Sequence, residues 1–294
     1  MTAAERYERI RHLGSGGMAS VFLAEDTVLR RRVAIKRLAI DTPEASAARF
    51  RREAKIGASL NHRNLVSIYD TFESEDGLFI VMEYVEGEHL GQAMARGRME
   101  QDRAVEMLRA VASGLDHAHR AGVIHRDVKP ANILLGHGEV VKVADLGIAV
   151  RDERMTTEGA VLGTLTYLAP ELLSGAEVTP AVDVYSLAVV AWEVLSGGKV
   201  RAADNPLAIA NMAVNEPAPD IREAWPEAPQ ALSDALGEGM CRDPDGRPHS
   251  PGELIRRVDR ALAAPAATST ARQPRPPATP APASGAAPAA PPVP

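Results

Sequence analysis

Two short segments near the middle of the chain bring together residue types capable of proton transfer and metal binding. The first is His125-Arg126-Asp127-Val128-Lys129-Pro130-Ala131-Asn132, and thirteen residues after Asn132 comes Asp145-Leu146-Gly147. Each lies beside a short apolar run that predicts a strand. Asp127 can take a proton from a hydroxyl, while Asn132 and Asp145 offer the hard oxygen ligands that Mg²⁺ prefers. This spacing fits a phosphoryl-transfer site; the alternative is a polar loop in a hairpin.

A glycine-rich segment near the amino terminus, Leu13-Gly14-Ser15-Gly16-Gly17-Met18-Ala19-Ser20-Val21, has strand-like residues on both sides. Glycines let backbone N–H groups approach phosphate oxygens without a Cβ in the way. The segment departs from the pattern G-x-G-x-x-G because Ala19 stands at the third glycine, and we expect this to stiffen the tip. A tight hairpin with no ligand is the alternative.

A single lysine ends the β-rich run Val33-Ala34-Ile35-Lys36. Downstream, Glu53 falls on the inward stripe of a helix predicted over residues 49–60. Because a carboxylate on an inward face is costly without a partner, we predict an ion pair between Lys36 and Glu53. Such a pair would fix the lysine beside the α- and β-phosphates of a nucleotide. The alternative is a partly exposed Glu53 paired with a neighbouring arginine.

These motifs and Ala169-Pro170-Glu171 follow one another in a fixed order over roughly residues 7 to 262. Because its motifs occur in this order, the chain resembles the catalytic domain of a eukaryotic-like (Hanks-type) bacterial serine/threonine protein kinase. The resemblance implies an α+β, bilobal fold with a small β-rich N-lobe that contains one helix and a larger, mainly α C-lobe. It also implies a non-specific serine/threonine protein kinase that transfers the γ-phosphoryl group of ATP to protein hydroxyls, with Mg²⁺ or Mn²⁺ as cofactor.

The resemblance assigns roles position by position. Asp127 matches the catalytic base, Lys129 the γ-phosphate contact, and Lys36 the lysine that pairs with Glu53. Asn132 and Asp145 match the metal ligands. The positions that match the ATP-binding surface are Leu13, Gly14, Ser15, Gly16, Gly17, Met18, Ala19, Ser20, Val21, Ala34, Lys36, Glu53, Met82 (the gatekeeper), Glu83 to Val85 (the hinge that bonds adenine) and Leu134.

Other positions match supports rather than reacting groups. Thr164 matches the loop that shapes the acceptor site and bridges Asp127 to Lys129. Glu171 is expected to pair with Arg247, and Asp183 is expected to hold the backbone of the catalytic loop.

The segment between Asp145 and Glu171 is expected to regulate the enzyme. Arg126, directly before the catalytic aspartate, is typical of kinases whose active state is held by phosphate on this segment. Thr156 and Thr157 lie in a polar stretch, and phosphate there would add about −1.5 to −2 charges and attract guanidinium groups. We predict autophosphorylation of one or both threonines in trans. The alternative is that they are two solvated loop residues.

The domain organisation can be read independently of the resemblance. Residues 1–86 are predicted as a strand-rich lobe, with β-like runs at 21–24, 33–36, 66–72 and 78–84. Residues 87–262 are predicted to be mainly helical, including a helix over 101–121 that ends at Gly122. In the last part, 263–294, alanine and proline make up about two thirds of the residues, so we predict a disordered tail or linker.

Composition excludes several classes of protein. The net charge of −6 gives no sign of a nucleic-acid partner. The single Cys241 rules out an intramolecular disulfide and fits a reducing cytoplasm. We expect no signal peptide, and the most apolar stretch, 187–192, is far shorter than the roughly 20 residues of a membrane span. We expect a cytoplasmic chain that could be the cytoplasmic part of a longer membrane kinase.

Two other classes of function remain. A pseudokinase would normally have lost Lys36, Asp127 or Asp145, and all three are present. Gly57 stands where the family usually has a larger apolar residue that clamps the helix, so activation by a transient homodimer through the small lobe is a hypothesis. A small-molecule phosphotransferase would generally lack the long segment between Asp145 and Glu171.

Overall fold

The computed structural model describes residues 3–16, 19–38, 44–145, 165–203 and 205–263. After a single helical turn, α1 (Ala3–Arg6), an antiparallel sheet of five strands dominates the amino-terminal part, in the spatial order β1-β2-β3-β5-β4. Its strands are β1 (Tyr7–Gly16), β2 (Ala19–Asp26), β3 (Arg31–Leu38), β4 (Ile68–Ser74) and β5 (Gly77–Glu83). The β4–β5 hairpin turns where Ser74 pairs with Gly77, whose φ of 130° favours glycine.

One helix, α2 (Glu44–Ser59), connects β3 to β4 and packs on this sheet. Ala47, Phe50 and Ala54 recur at helical spacing and are buried against Ile80 and Met82 of β5. Ala34 and Leu38 of β3 belong to the same buried cluster, so one face of the sheet packs on the helix through side chains of β3 and β5. The helix starts five residues earlier than the sequence pattern predicts.

A small second sheet lies at the junction with the carboxyl-terminal part, in the order β6-β7-β8. Its strands are β6 (Gly87–His89), β7 (Ile133–Gly136) and β8 (Val141–Val143). A single bridge between Leu65 and Val143 joins it to the segment that follows α2. The two short strands predicted beside the catalytic residues are β7 and β8.

The remainder of the described chain is mainly helical. Its helices are α3 (Leu90–Ala95), α4 (Gln101–Arg120), α5 (Pro170–Ser174), α6 (Ala181–Ser196), α7 (Pro206–Asn215), α8 (Gln230–Gly239) and α9 (Pro251–Ala263), with 3₁₀ turns at Pro130–Asn132, Leu165–Tyr167, Ile221–Glu223 and Pro244–Gly246. Helix α6 is buried from Val182 to Leu195 and lies at the centre of this part. It contacts α4, α8 and α9, so it forms the base on which the catalytic segments rest.

Helix α4 illustrates how the sequence determines an element. The Glu100 side chain accepts hydrogen bonds from the N–H groups of Asp102 and Arg103, which caps the first turn. Its apolar face, which includes Ala104, Leu108 and Val111, is buried, and Gly122 adopts φ 73° just beyond the end. A strand-rich part followed by a helical part confirms the predicted α+β, bilobal fold. Among the described residues, no helix is long and apolar enough to cross a membrane.

Candidate active site

The loop between α4 and β7 carries Asp127. Its backbone is held by the side chain of Asp183, which lies on the first turn of α6. The Asp183 carboxylate is fully buried and accepts hydrogen bonds from the backbone N–H groups of His125 (2.8 Å) and Arg126 (2.7 Å). Arg126 has φ 66°, a left-handed conformation that is uncommon for a residue with a side chain. The buried carboxylate thus stabilises a backbone turn that would otherwise be unfavourable.

Two histidines extend this support. His119 Nε2, on α4, lies 2.6 Å from Asp183 Oδ2, and the His125 ring donates to the Ala144 carbonyl across 3.0 Å. The loop is thereby tied to α4, to α6 and to the residue directly before Asp145. His119 lies 64 residues before Asp183, and nothing in its own segment of sequence indicates this bond.

The Asp127 carboxylate lies between an ammonium group and an amide. Lys129 Nζ is 2.8 Å from Asp127 Oδ2, and Asn132 Nδ2 donates to the same oxygen at 2.9 Å and to the Asp127 carbonyl at 2.8 Å. Because the amide nitrogen of Asn132 is used in this way, its Oδ1 is the atom left to face a cation. The Pro130–Asn132 turn and a bond from Ala144 N–H to the Asn132 carbonyl (2.8 Å) fix the position of Asn132.

Asp145 follows β8 and faces the sheet of the amino-terminal part. Its backbone has φ 55°, again left-handed, and its Oδ1 accepts a hydrogen bond of 3.0 Å from Lys36 Nζ, on β3. Burial by itself raises the pKa of the Asp145 carboxyl, but the ammonium of Lys36, with smaller contributions from His125 and Lys129, outweighs it and leaves the pKa below its usual value. The carboxylate is therefore charged and able to bind a cation.

The glycine-rich hairpin is formed by β1 and β2. Gly14 pairs with Val21, Ser15 with Ser20, and Gly16 with Ala19, while Gly17 and Met18 lie outside the described residues. The Ser15 and Ser20 hydroxyls lie 3.3 Å apart. A Cβ placed on Gly14 would meet nothing within 4 Å, so the space beside its backbone is open.

An apolar surface lies beside this hairpin. Leu13 and Val21 pack against the cluster that contains Ala34 and Met82, which pair with each other across β3 and β5. Leu134 of β7 is half-buried. These side chains have the chemistry of a surface for a planar aromatic base.

The predicted hinge, from Glu83 to Val85, leaves the end of β5. The Glu83 carboxylate binds Lys142 Nζ at 2.7 Å and accepts from the Ser67 N–H at 3.3 Å, while the Glu83 N–H donates to the Ser67 carbonyl at 2.8 Å. Lys142 lies on β8, so the hinge is anchored to the small sheet. The sequence analysis missed Lys142, although its place between Val141 and Val143 marks it as the polar side of a strand.

The predicted partner of Lys36, Glu53, lies in α2, and its side chain is outside the described part. The Lys36–Glu53 ion pair therefore stays a prediction. One turn further along α2, Gly57 is buried and lines a cavity of about 30 Å³. The other residues around this cavity are Leu60, Leu65, Val66, Ile68, Ile80, Met82, Val143 and Asp145.

The two predicted structural partners, Glu171 and Arg247, are in contact. Arg247 donates from two nitrogens to the two oxygens of Glu171, at 2.5 and 2.8 Å, and also to the carbonyls of Cys241, Arg242 and Ala181. Arg247 is only 4 % exposed. The pair ties α5, which follows the predicted regulatory segment, to the segment before α9. Thr156, Thr157 and Thr164 lie outside the described residues, so their roles stay predictions.

Comparison with known proteins identifies what the chain is similar to. A family model described as the protein kinase domain matches residues 7–256. Serine/threonine-protein kinase PrkC of Bacillus subtilis is 38 % identical over 264 residues, which cover 88 % of this chain and 41 % of that protein. Serine/threonine-protein kinase PknJ of Mycobacterium tuberculosis is 38 % identical, covering 88 % and 46 %, and PknB of Mycolicibacterium smegmatis is 39 % identical, covering 85 % and 42 %. The chain spans less than half the length of these relatives.

Proposed function

The chain belongs to the protein kinase family, and we propose that it is a serine/threonine protein kinase that transfers the γ-phosphoryl group of ATP to hydroxyl groups of proteins. The observation that carries the proposal is the convergence of the candidate residues. Lys36, from the sheet, meets Asp145 at 3.0 Å, and Lys129 and Asn132 meet Asp127 within 3 Å.

We propose that Asn132 and Asp145 hold the divalent cation that protein kinases use. Their donor set fits, because Asn132 directs its amide nitrogen to Asp127 and keeps Oδ1 for a cation, and because Asp145 is ionised. Mg²⁺ or Mn²⁺ bound there would neutralise charge on the phosphate oxygens. Lys36, whose Nζ lies 3.0 Å from Asp145 Oδ1, would orient the α- and β-phosphates.

In this proposal Asp127 accepts the proton of the acceptor hydroxyl. Its carboxylate oxygen is positioned by Lys129 and Asn132, so the base is held in place before the substrate arrives. Lys129 would also contact the γ-phosphate. Most of the acceleration would come from positioning and electrostatic stabilisation, because phosphoryl transfer requires little covalent chemistry of the protein.

The test compares incorporation of labelled phosphate by the purified chain and by three variants in Mg-ATP. Asp127→Asn should lose at least about 100-fold in turnover, Lys36→Met should lose nearly all turnover, and chelation of the metal should abolish it. Asp234→Asn, an exposed carboxylate on α8, is the matched control and should keep full turnover. Near-wild-type turnover of Asp127→Asn would contradict the assignment, and ATP binding without any transfer would favour a pseudokinase.

Regulation forms a second part of the proposal. We propose that Thr156 or Thr157 is autophosphorylated in trans and that the added charge orders the regulatory segment near Arg126. After incubation with Mg-ATP, mass spectrometry should find phosphate on the tryptic peptide that carries both threonines, and Thr156→Ala/Thr157→Ala should lower activity. An unmodified peptide at full activity would contradict this.

We propose that the chain acts on protein substrates and forms a transient homodimer during activation. We also propose that it is located in the cytoplasm, where ATP is available. Family membership supports the protein substrates. The cavity beside Gly57 supports the homodimer, because a neighbouring subunit that presses on α2 could close it. Specific activity should rise with enzyme concentration, and concentration-independent activity would count against the dimer.

A further inference from the structure

A cavity of about 310 Å³ opens beside the catalytic loop and plays no part in the chemistry described above. One wall is Pro130, which follows Asp127 by three residues and so lies within about 11 Å of it. The other walls come from α3 with the turn after it, from the turn that ends with Tyr167, and from the end of α6 with the residues after it. An extended polypeptide whose hydroxyl reached Asp127 could place a side chain two to four residues away in this cavity.

The carboxylate of Glu193, at the base of the cavity, is not accessible to a substrate. Its side chain is fully buried, and Oε2 accepts hydrogen bonds from the Tyr167 hydroxyl (2.7 Å) and Lys199 Nζ (3.1 Å). Its Oε1 accepts from the Val200 N–H at 3.2 Å. Lys199 itself is 64 % exposed and covers this carboxylate. A cationic substrate side chain would have to displace Lys199 to reach Glu193, leaving two cations close together.

The rim of the cavity carries a second cation, Arg98. Its guanidinium lies over the Trp225 ring at 3.9 Å. Its Cβ also lies only 3.1 Å from where a Cβ on Gly197 would stand, so the glycine lets the arginine lie close to the turn. Within the described part of the chain Arg98 forms no ion pair, and Glu193 is the one carboxylate among the lining residues. The accessible charge is therefore positive.

We propose that this cavity selects protein substrates that carry an aspartate or glutamate within about four residues of the acceptor hydroxyl. The substrate carboxylate would meet Arg98 and Lys199, while its methylene groups would lie on the apolar surface formed by Met94 and Pro130. The inference rests on the proposed kinase function and names the substrate class of that site. Because both cations are exposed, we expect a preference of about three- to tenfold in kcat/KM.

The experiment uses a set of synthetic peptides with one threonine among alanines. A single glutamate or a single arginine is moved through the four positions on either side of the threonine, and kcat/KM is measured for each peptide. Glutamate should raise kcat/KM at one or two adjacent positions, mainly through KM, and arginine should lower it there. Arg98→Glu should reverse the order at those positions. The readout is the ratio of kcat/KM between the glutamate and arginine peptides, which a general loss of activity from the lost Trp225 contact would not change.

The matched control is Arg31→Ala, since Arg31 also lies over an aromatic ring, that of Tyr69 at 3.7 Å, but on β3 of the other lobe. It should leave the charge preference intact. Equal kcat/KM for glutamate and arginine at every position, or a preference that Arg98→Glu does not change, would overturn the inference while leaving the kinase activity established by the alanine peptide. A preference for arginine would show that Lys199 is displaced and would also overturn it.

Discussion

Single buried carboxylates hold the reacting part of this molecule in place. Asp183 accepts two backbone N–H groups and a histidine, and Glu171 accepts two nitrogens of Arg247. Each connects segments far apart in the chain, 76 residues apart for Glu171 and Arg247. Such groups gain little net free energy as pairs, but they are costly to leave unpartnered.

The Glu171–Arg247 pair gives a direct prediction. Arg247→Met should lower the free energy of unfolding by about 3 to 5 kcal/mol, because Glu171 would remain buried without its counter-charge. Urea unfolding followed by circular dichroism measures the loss. The double variant Glu171→Met/Arg247→Met should recover part of it. A single variant that loses less than about 1 kcal/mol would contradict a buried, energetically coupled pair.

Helix α2 carries a glycine, Gly57, at a buried position beside the sheet. Phe50 and Ala54 anchor its middle, but Gly57 lines a cavity of about 30 Å³ that also borders β5 and the proposed metal ligand Asp145. Empty apolar volume removes contacts that would fix the helix. The glycine also lowers the intrinsic stability of the helix by about 1 kcal/mol relative to alanine.

An exchange of neighbouring residues separates these two effects. Gly57→Ala/Ala58→Gly keeps the number of glycines in the helix but moves one methyl group from an exposed position into the cavity. If the cavity loosens α2, this variant should unfold at a higher temperature and be more active at low enzyme concentration. Gly57→Ala alone should raise the free energy of unfolding by about 1 kcal/mol more than the exchange variant does, because it also removes a glycine from the helix. An exchange variant with wild-type activity and midpoint would show that the cavity does not control α2.

Local patterns were enough to predict the helices and strands that carry the site. Helix α4 could be predicted because its apolar spacing, its first turn and Gly122 all lie within one stretch of sequence. The Lys142–Glu83 and His119–Asp183 contacts could not, since the partners are 59 and 64 residues apart and each is an ordinary polar residue in its own segment. Bounds such as the early start of α2 also depended on packing against the sheet.

The two lobes are joined by more than the hinge. The segment after α2 docks on α4 and β8: Asn64 donates its amide to the Val141 carbonyl at 2.9 Å, and the His62 ring stacks on His117 with 4.9 Å between centroids. Gly114 is required on α4, because a Cβ there would stand 2.9 Å from the Asn64 carbonyl oxygen. This docking connects α2 mechanically to the helical lobe.

The stacked histidines make this docking sensitive to pH. Burial, and then the nearby charges of His117 and Arg120, lower the pKa of His62 below its usual 6.5. The unfolded chain therefore binds a proton more readily, so the stabilisation is present above pH 6.5 and is lost as the pH falls towards the lowered value. His117→Asn should reduce the decrease in free energy of unfolding between pH 7.5 and 5.5, measured by urea titration. An unchanged decrease would show that the stack does not contribute.

The bond between Glu83 and Lys142 has a mechanical consequence. Glu83 begins the segment expected to receive adenine, and Lys142 lies on β8, three residues before Asp145, which follows that strand. A displacement of the hinge would therefore also displace β8, the strand that positions the proposed metal ligand Asp145. Any molecule that shifts the hinge when it binds should change the affinity for the metal, and the metal should change the affinity for that molecule by the same factor. Adenine and the metal ion would then be coupled through the Glu83–Lys142 contact and β8.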